Sequence, residues 1–119
     1  MNTSSKPPSA SASLLGRTIR WTFNDGPVKG QTFDHTFNDD GSVVWRIVSG
    51  KPNAPLNRET HSGVVPLGDQ VAMVSYLASN GFTLTAALNF ADMRLTAFAS
   101  NGESWTMQRG SFELLPEAA

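Results

Sequence analysis

Short segments in which apolar and polar residues alternate recur along this chain, and clusters of turn residues separate them. In the first segment, Ile19, Trp21 and Phe23 alternate with threonine and arginine before the turn cluster at 24–27. A period of two places every second side chain on one face, which is typical of a half-buried β-strand. The pattern predicts strands at 16–24, 28–37, 42–48, 57–65, 70–77, 82–90, 93–99 and 104–112.

These segments, about eight in number, predict an all-β domain. No segment has the periodicity of an amphipathic helix, and short turns such as 38–41 and 100–102 join the strands. Short connections favour a meander, and about eight strands close a small antiparallel up-and-down barrel around side chains or one small ligand. A two-sheet sandwich is the alternative. The Gly, Pro and Asn residues of 49–68 make the strand at 57–65 irregular and place it near an edge.

The chain has 119 residues, a formal net charge of −1, 39% hydrophobic residues and no cysteine. This composition is typical of one globular domain without the basic surface that attracts nucleic acid or an anionic membrane, so we expect neither partner. The lack of cysteine excludes disulfides and thiolate nucleophiles. No phosphate-binding glycine loop, nucleophile elbow or dinucleotide fingerprint is present, and we expect no cofactor.

Serine, proline and alanine dominate residues 1–13, which contain no apolar stretch like that of a secretory signal. We therefore expect a disordered leader at 1–13, a single barrel domain at 14–115 and a short tail at 116–119. No apolar run approaches the length of a membrane-spanning helix, and the sequence predicts a cytoplasmic protein.

The interior of a small barrel is its default ligand site, with aromatic residues as walls. Trp21, Phe23 and Tyr76 are the candidate wall residues. Arg46 stands between two apolar neighbours; if it points inward it requires a carboxylate from the protein or from a ligand, because an unpaired buried guanidinium costs several kcal/mol. The opposite orientation, with its neighbours inside and Arg46 in solvent, fits the alternation equally well.

His35 shares its face with Phe33 and Phe37, so it points inward if they do. Its ordinary pKa of about 6.5 suits a general base or a hydrogen bond to a ligand. A structural histidine is the alternative. Asp69 precedes a strand and could pair with Arg46 or polarise a ligand hydroxyl, whereas a solvated turn carboxylate is the other interpretation.

Two further residues with metal-binding chemistry stand close together in the irregular segment. Glu59 and His61 are two positions apart, which places both on one face of a strand. Two ligands are too few for a protein metal centre. We therefore expect no metal site.

The strand at 42–48 carries apolar residues on both faces, with Val43, Trp45 and Ile47 on one and Val44 and Val48 on the other. A strand that is apolar on both faces is typical of burial on both sides. Its outer face would then be covered by a second copy of the chain, and we expect a homodimer.

Short strand motifs match those of a known group of barrels. They lie at 16–26, 44–50, 74–76, 81–89 and 94–98. The chain resembles the MoaF family, which is associated with molybdenum cofactor biosynthesis, and its opening strands resemble phenolic acid decarboxylases; both are calycin-type, lipocalin-like barrels. MoaF proteins resemble two such barrels in tandem, whereas this chain has the length of one, so the resemblance also implies self-association.

The resemblance to the decarboxylases implies roles for specific positions. Their strand-three arginine matches Arg46, which favours the inward orientation, and their glutamate falls near Asp69. Their two tyrosines on strand one are replaced by Trp21 and Phe23, which have no phenolic hydroxyl to hold a carboxylate. We therefore expect no phenolic acid decarboxylase activity.

Three hypotheses about function remain open at this point. The first is a barrel that binds a small aromatic or anionic ligand through Arg46. The second is a cofactor-free lyase or isomerase acting on a small carboxylate or ketone, with His35 or Asp69 as general base and Arg46 as electrostatic clamp. An enzyme needs the base and the arginine to converge on one cavity. A third hypothesis is a dimerisation module whose barrel is filled by its own side chains.

Overall fold

A computed structural model describes residues 14–50 and 54–116, which form nine antiparallel strands in a nearly closed barrel. The strands are β1 Thr18–Phe23, β2 Thr32–Phe37, β3 Val43–Ile47, β4 Asn57–Glu59, β5 Ser62–Pro66, β6 Val71–Leu77, β7 Thr83–Asn89, β8 Arg94–Ser100 and β9 Trp105–Leu114. Their order in the sheet is β4-β3-β2-β1-β9-β8-β7-β6-β5. The predicted all-β class and up-and-down topology are confirmed. The expected leader at 1–13 and residues 117–119 of the tail lie outside the described residues.

The predicted irregular strand at 57–65 is divided into two strands. The chain bends at Thr60 and His61, so that β4 pairs with β3 and β5 pairs with β6. β4 and β5 are the two ends of the sheet. Near the seam between them, the backbone N–H and hydroxyl of Ser62 on β5 donate to the carbonyl oxygen of Gly41, in the connection between β2 and β3, at 3.1 and 2.8 Å. One bent segment therefore closes the barrel, and the strands number nine instead of about eight.

The second predicted strand starts later than the alternation indicates. Residues 26–30 form a turn, in which Gly26 and Gly30 have φ angles of 78° and 87°. Glycine adopts this left-handed conformation without steric cost, and it interrupts an extended strand. The N–H of Gly30 donates to the carbonyl oxygen of Phe23 at 2.8 Å, which fixes the return of the chain. The turn brings Pro27 and Val28 to one end of the barrel.

The two ends of the barrel interior differ. At one end the inward side chains are fully buried, among them Leu14, Ile19, Phe37, Val43 and Leu88. The other end is bordered by the β1–β2, β6–β7 and β8–β9 connections, and side chains leave space there. Within the described part of the chain, no helix is long and apolar enough to cross a membrane.

Candidate functional site

The open end of the barrel contains a cavity of about 310 Å³. This volume lies near the small end of the range for ligand pockets, about 300–1,000 Å³. The apolar part of its wall includes Trp21, Phe23, Phe33, Trp45, Phe82 and Leu84. The polar groups around it are His35, Tyr76, Asn80, Ser104, Thr106 and Gln108. Among the described residues that line it, there is no lysine, arginine, aspartate or glutamate.

Flat rings form one wall of the cavity. The ring of His35 stacks on that of Trp21, with centroids 3.9 Å apart and planes inclined by 26°. The ring of Trp45 lies 6.1 Å from that of His35 and nearly parallel to it, at 15°. These contacts follow from strand register, since β1 pairs with β2 and His35 lies directly opposite Trp45 on β3. The wall is suited to planar, aromatic molecules, because aromatic rings gain from offset or edge contacts beyond their buried area.

A hydrogen bond between His35 and Tyr76 crosses the barrel interior. The Nε2 atom of His35 and the hydroxyl of Tyr76 are 2.8 Å apart and form a hydrogen bond, in which the tautomer of His35 decides which of them donates. Burial lowers the pKa of His35 to about 3, because a charged imidazolium would lose its hydration. Burial, followed by the charge of Glu59, raises the pKa of Tyr76 above its usual range. Both side chains are therefore neutral near pH 7, and the pair is a polar but uncharged part of the cavity wall.

Glu59 lies beside the cavity wall, in a place that the sequence pattern, which offered it only as a possible metal ligand, did not indicate. Its side chain is buried, and its carboxylate accepts hydrogen bonds from Trp45 Nε1 at 3.0 Å and from the backbone N–H of Ser79 at 3.1 Å. It thereby joins β4 to the cavity wall and to the β6–β7 turn across the seam. His61, its expected companion, is exposed at the bend. Among the described residues, no group of three or more His, Cys, Asp or Glu could hold a metal ion.

Arg46 lies on the outer face of the barrel. Arg46 on β3 stands directly opposite Asp34 on β2. His35, the residue after Asp34, points into the cavity, so Asp34 and Arg46 point to the outside of the barrel. Asp34 is also bound by Arg20, whose Nε and Nη2 donate to its two carboxylate oxygens at 2.8 and 3.0 Å. The alternation allowed either orientation of β3, and the structure has Trp45 inside and Arg46 outside. The inward orientation of Arg46, which the resemblance to the decarboxylases favoured, is therefore wrong.

The other predicted site residues are distributed as follows. Trp21, Phe23, His35 and Tyr76 all line the cavity. Asp69 is exposed in the turn between β5 and β6 and does not line the cavity. The structure thus brings the aromatic residues and the histidine together, and it separates them from both charged candidates.

Three enclosed polar atoms of cavity-lining residues have no hydrogen-bond partner among the described residues. They are Trp21 Nε1, His35 Nδ1 and Gln108 Oε1. Gln108 was not predicted as a site residue. On β9 exposed and buried residues alternate, and Gln108 has one of the buried, inward positions. Buried polar atoms are satisfied in nearly all folded proteins, so these three atoms are exceptions within the described part of the chain.

Comparisons with known proteins support the fold and leave the family open. A scan against protein-family models gives no match, and a search of curated proteins gives none. Among solved structures, the fold is similar to the crystal structure of a Burkholderia vietnamiensis protein described as a "putative beta-lactamase", with a TM-score of 0.70, 14% identity, and coverage of 87% of this chain and 96% of that one. At this identity the similarity shows the barrel fold alone. The MoaF-like family stays a prediction.

Proposed function

We propose that this protein is a lipocalin-like barrel that binds a small, neutral, largely aromatic molecule in its interior. The observation that carries the proposal is the cavity of about 310 Å³ with an aromatic wall and, among the described residues 14–50 and 54–116, no charged lining residue. A concave, mainly apolar pocket with a few placed polar groups is the usual form of a small-molecule site.

Charge decides between the two ligand types expected from the sequence. An anion inside the barrel would lose its hydration without gaining a cation, because Arg46 lies on the outer face and burial keeps His35 neutral. Burial of an unpaired charge costs several kcal/mol. The proposal therefore keeps the aromatic ligand and gives up the anionic one.

One hydroxyl group on the ligand would match the polar atoms that the barrel leaves unpaired. Trp21 Nε1 can only donate, and Gln108 Oε1 can only accept. A hydroxyl group can accept a hydrogen bond from Trp21 Nε1 or donate one to Gln108 Oε1. An aromatic ring that carries a hydroxyl is thus the ligand class that this interior suits best.

The alternative function, a cofactor-free enzyme, has less support. It requires a base and an arginine at one cavity, but Arg46 and Asp69 do not line the cavity that contains His35. An imidazole with a pKa of about 3 is also a weak base near pH 7. The β-lactamase description of the structural neighbour does not change this, since a similarity at 14% identity shows the fold alone.

A link to molybdenum cofactor biosynthesis, a cytoplasmic location and the absence of nucleic-acid and membrane partners remain predictions of the sequence. The first depends only on the resemblance of strand motifs to MoaF. The others depend on composition and on the absence of a basic surface.

The test is a fluorescence titration with two probes that differ in charge, 2-naphthol and 2-naphthoate. At pH 7 the first is neutral and the second is an anion, and both have the same bicyclic ring. Trp21 and Trp45 line the cavity and report binding through their emission. We expect 2-naphthol to bind at least about tenfold more tightly, a difference of about 1.4 kcal/mol. Equal binding, or tighter binding of 2-naphthoate, would contradict the proposal.

A pair of variants locates the probe. Ala99 lines the cavity, whereas Ala91 is exposed in the β7–β8 turn. Ala99→Phe should occupy the space and weaken 2-naphthol binding by about tenfold or more, while Ala91→Phe should leave it unchanged. If both variants bind as the wild type does, the probe lies outside the cavity.

A further inference from the structure

Glu59 is a buried carboxylate that does not itself line the cavity. Among the described residues, the groups that donate hydrogen bonds to it are Trp45 Nε1 and the backbone N–H of Ser79. No lysine or arginine of the described part of the chain forms an ion pair with it. Burial of a carboxylate without a cation costs several kcal/mol, so its position requires an explanation beyond packing.

Both partners of Glu59 belong to the ligand site. Trp45 is one of the rings of the aromatic wall. Ser79 lies in the β6–β7 connection between Ala78 and Asn80, which both line the cavity. β3, which carries Trp45, and β6 are not neighbours in the sheet. The carboxylate therefore links two parts of the cavity lining that strand pairing does not connect.

The hydrogen bond from Trp45 Nε1 fixes the orientation of a ring that is otherwise loosely held. The ring of Trp45 is nearly parallel to that of His35, but their centroids are 6.1 Å apart, whereas those of Trp21 and His35 are 3.9 Å apart. Trp45 is half-buried beside a cavity of about 310 Å³, so its side chain has room to turn. The contact with Glu59 at 3.0 Å keeps the ring in the plane of the wall.

The two donors match the two oxygens of a carboxylate. Trp45 Nε1 donates to Oε2 of Glu59, and the backbone N–H of Ser79 donates to Oε1. A glutamine side chain has one acceptor oxygen, and its NH₂ group would face the second donor. Glutamate thus satisfies both contacts at this position, and glutamine satisfies one.

We propose that Glu59 is a positioning residue of the ligand site, which holds Trp45 and the β6–β7 connection in the arrangement that an aromatic ligand binds. The inference rests on the proposed function, since it concerns the same cavity. A binding site that is already ordered has a higher affinity, because less conformational entropy is lost when the ligand binds. Glu59 acts through Trp45 and Ser79 and does not contact the ligand.

Titration of Glu59→Gln with 2-naphthol at pH 7 tests the inference. One of the two donors loses its acceptor, and 2-naphthol binding should weaken by at least about fivefold. Glu113→Gln is the matched control, because it removes the same charge at an exposed position of β9 and should bind 2-naphthol as the wild type does. Circular dichroism establishes that each variant is folded.

A double variant shows whether Glu59 acts through the indole nitrogen. Trp45→Phe keeps an aromatic ring in the wall and removes the N–H donor. In this background a glutamine at position 59 can turn its oxygen to Ser79, while its NH₂ group faces no donor. Adding Glu59→Gln to Trp45→Phe should therefore weaken 2-naphthol binding by less than about twofold.

Hydrogen exchange of the indole N–H groups, measured by NMR, gives a readout that is independent of affinity. The Trp45 signal is identified by its loss in Trp45→Phe. In the wild type it should exchange at least about tenfold more slowly than the signal of Trp105, which is 64% exposed. Glu59→Gln should remove this protection, and Glu113→Gln should keep it. The wild-type comparison decides the matter where Glu59→Gln does not fold.

The possible outcomes separate this inference from the proposed function. Equal affinity of the wild type and Glu59→Gln for 2-naphthol would overturn the inference and leave the proposed function intact. An undiminished effect of Glu59→Gln in the Trp45→Phe background would overturn it as well, and so would a Trp45 N–H that exchanges as fast as that of Trp105. A wild type that binds no 2-naphthol would contradict the proposed function and this inference together.

Discussion

His35 is a buried, uncharged ring at the centre of the barrel, and its surroundings explain why. Trp21 stacks on one side of it, Trp45 lies parallel at a greater distance, and Tyr76 supplies a hydrogen bond. None of these groups compensates a positive charge. Burial therefore lowers the pKa of His35 to about 3, while in the unfolded chain it is about 6.5.

The shifted pKa makes stability depend on pH in a defined direction. Between about pH 6.5 and pH 3 the unfolded chain binds a proton at His35 that the folded chain does not, so the free energy of unfolding falls as the pH falls. From pH 7 to pH 5 we expect a loss of about 2 kcal/mol, measured by urea unfolding. This window lies above the range in which Asp25 and Asp40, whose pKa values are lowered by hydrogen bonds, take up protons.

The chain offers a matched control, because its other histidine, His61, is exposed at the bend between β4 and β5. His35→Gln should remove most of the pH dependence between pH 5 and pH 7, whatever its effect on stability at pH 7. His61→Gln should keep it. A wild type whose stability does not change over this interval would show that His35 titrates in the folded protein.

Sequence patterns predicted some of the site residues and could not orient others. Trp21, Phe23, His35 and Tyr76 lie on strands with clear alternation, and all four line the cavity. Arg46 lies on a strand that is apolar at every neighbouring position, and a shift of one residue exchanges the two faces. Only the pairing of β3 with β2, in which Asp34 stands opposite Arg46, fixes the outward orientation.

At the level of the strands, the segment 57–65 shows what local pattern leaves undetermined. Its irregularity was predictable from the glycines and prolines around it, but the exchange of partner from β3 to β6 depends on distant strands. The role of Glu59 arises in the same way, because its partners Trp45 and Ser79 are brought to it by the closure of the barrel. Long-range contacts of this kind have no signal in local sequence.

The contact between β1 and β9 depends on a residue without a side chain. A Cβ atom at Gly110 would collide with the carbonyl oxygen of Thr22 on β1, whereas a Cβ atom at Gly63 on β5 would meet nothing within 4 Å. Gly110→Ala should therefore force the two strands apart and lower the free energy of unfolding by about 3 kcal/mol, as overpacking of a core does. Gly63→Ala should change it by less than about 0.5 kcal/mol.

Urea unfolding at pH 7 compares the two glycine variants directly. Equal stability of Gly110→Ala and Gly63→Ala would mean that the close approach of β9 to Thr22 is not required. A large loss confined to Gly110→Ala would confirm that the pairing of β1 with β9 requires a glycine at this point.

At the scale of the whole molecule, the barrel is filled at one end and open at the other. The fold was predictable because strand length, turn residues and alternation agreed along most of the chain. The size of the cavity was not predictable, because it depends on how far the side chains of all strands reach inward. That no charged group lines the cavity among the described residues followed only when the orientation of Arg46 was known.

A crystal structure of the protein with 2-naphthol tests the central claim most directly. We expect density for the bicyclic ring inside the barrel, against the wall formed by Trp21 and Trp45, with its hydroxyl within hydrogen-bonding distance of Gln108 or Trp21 Nε1. Density for the ring on the outer surface alone, or an interior closed by Leu84 and Phe82 with no space for the ring, would contradict the claim.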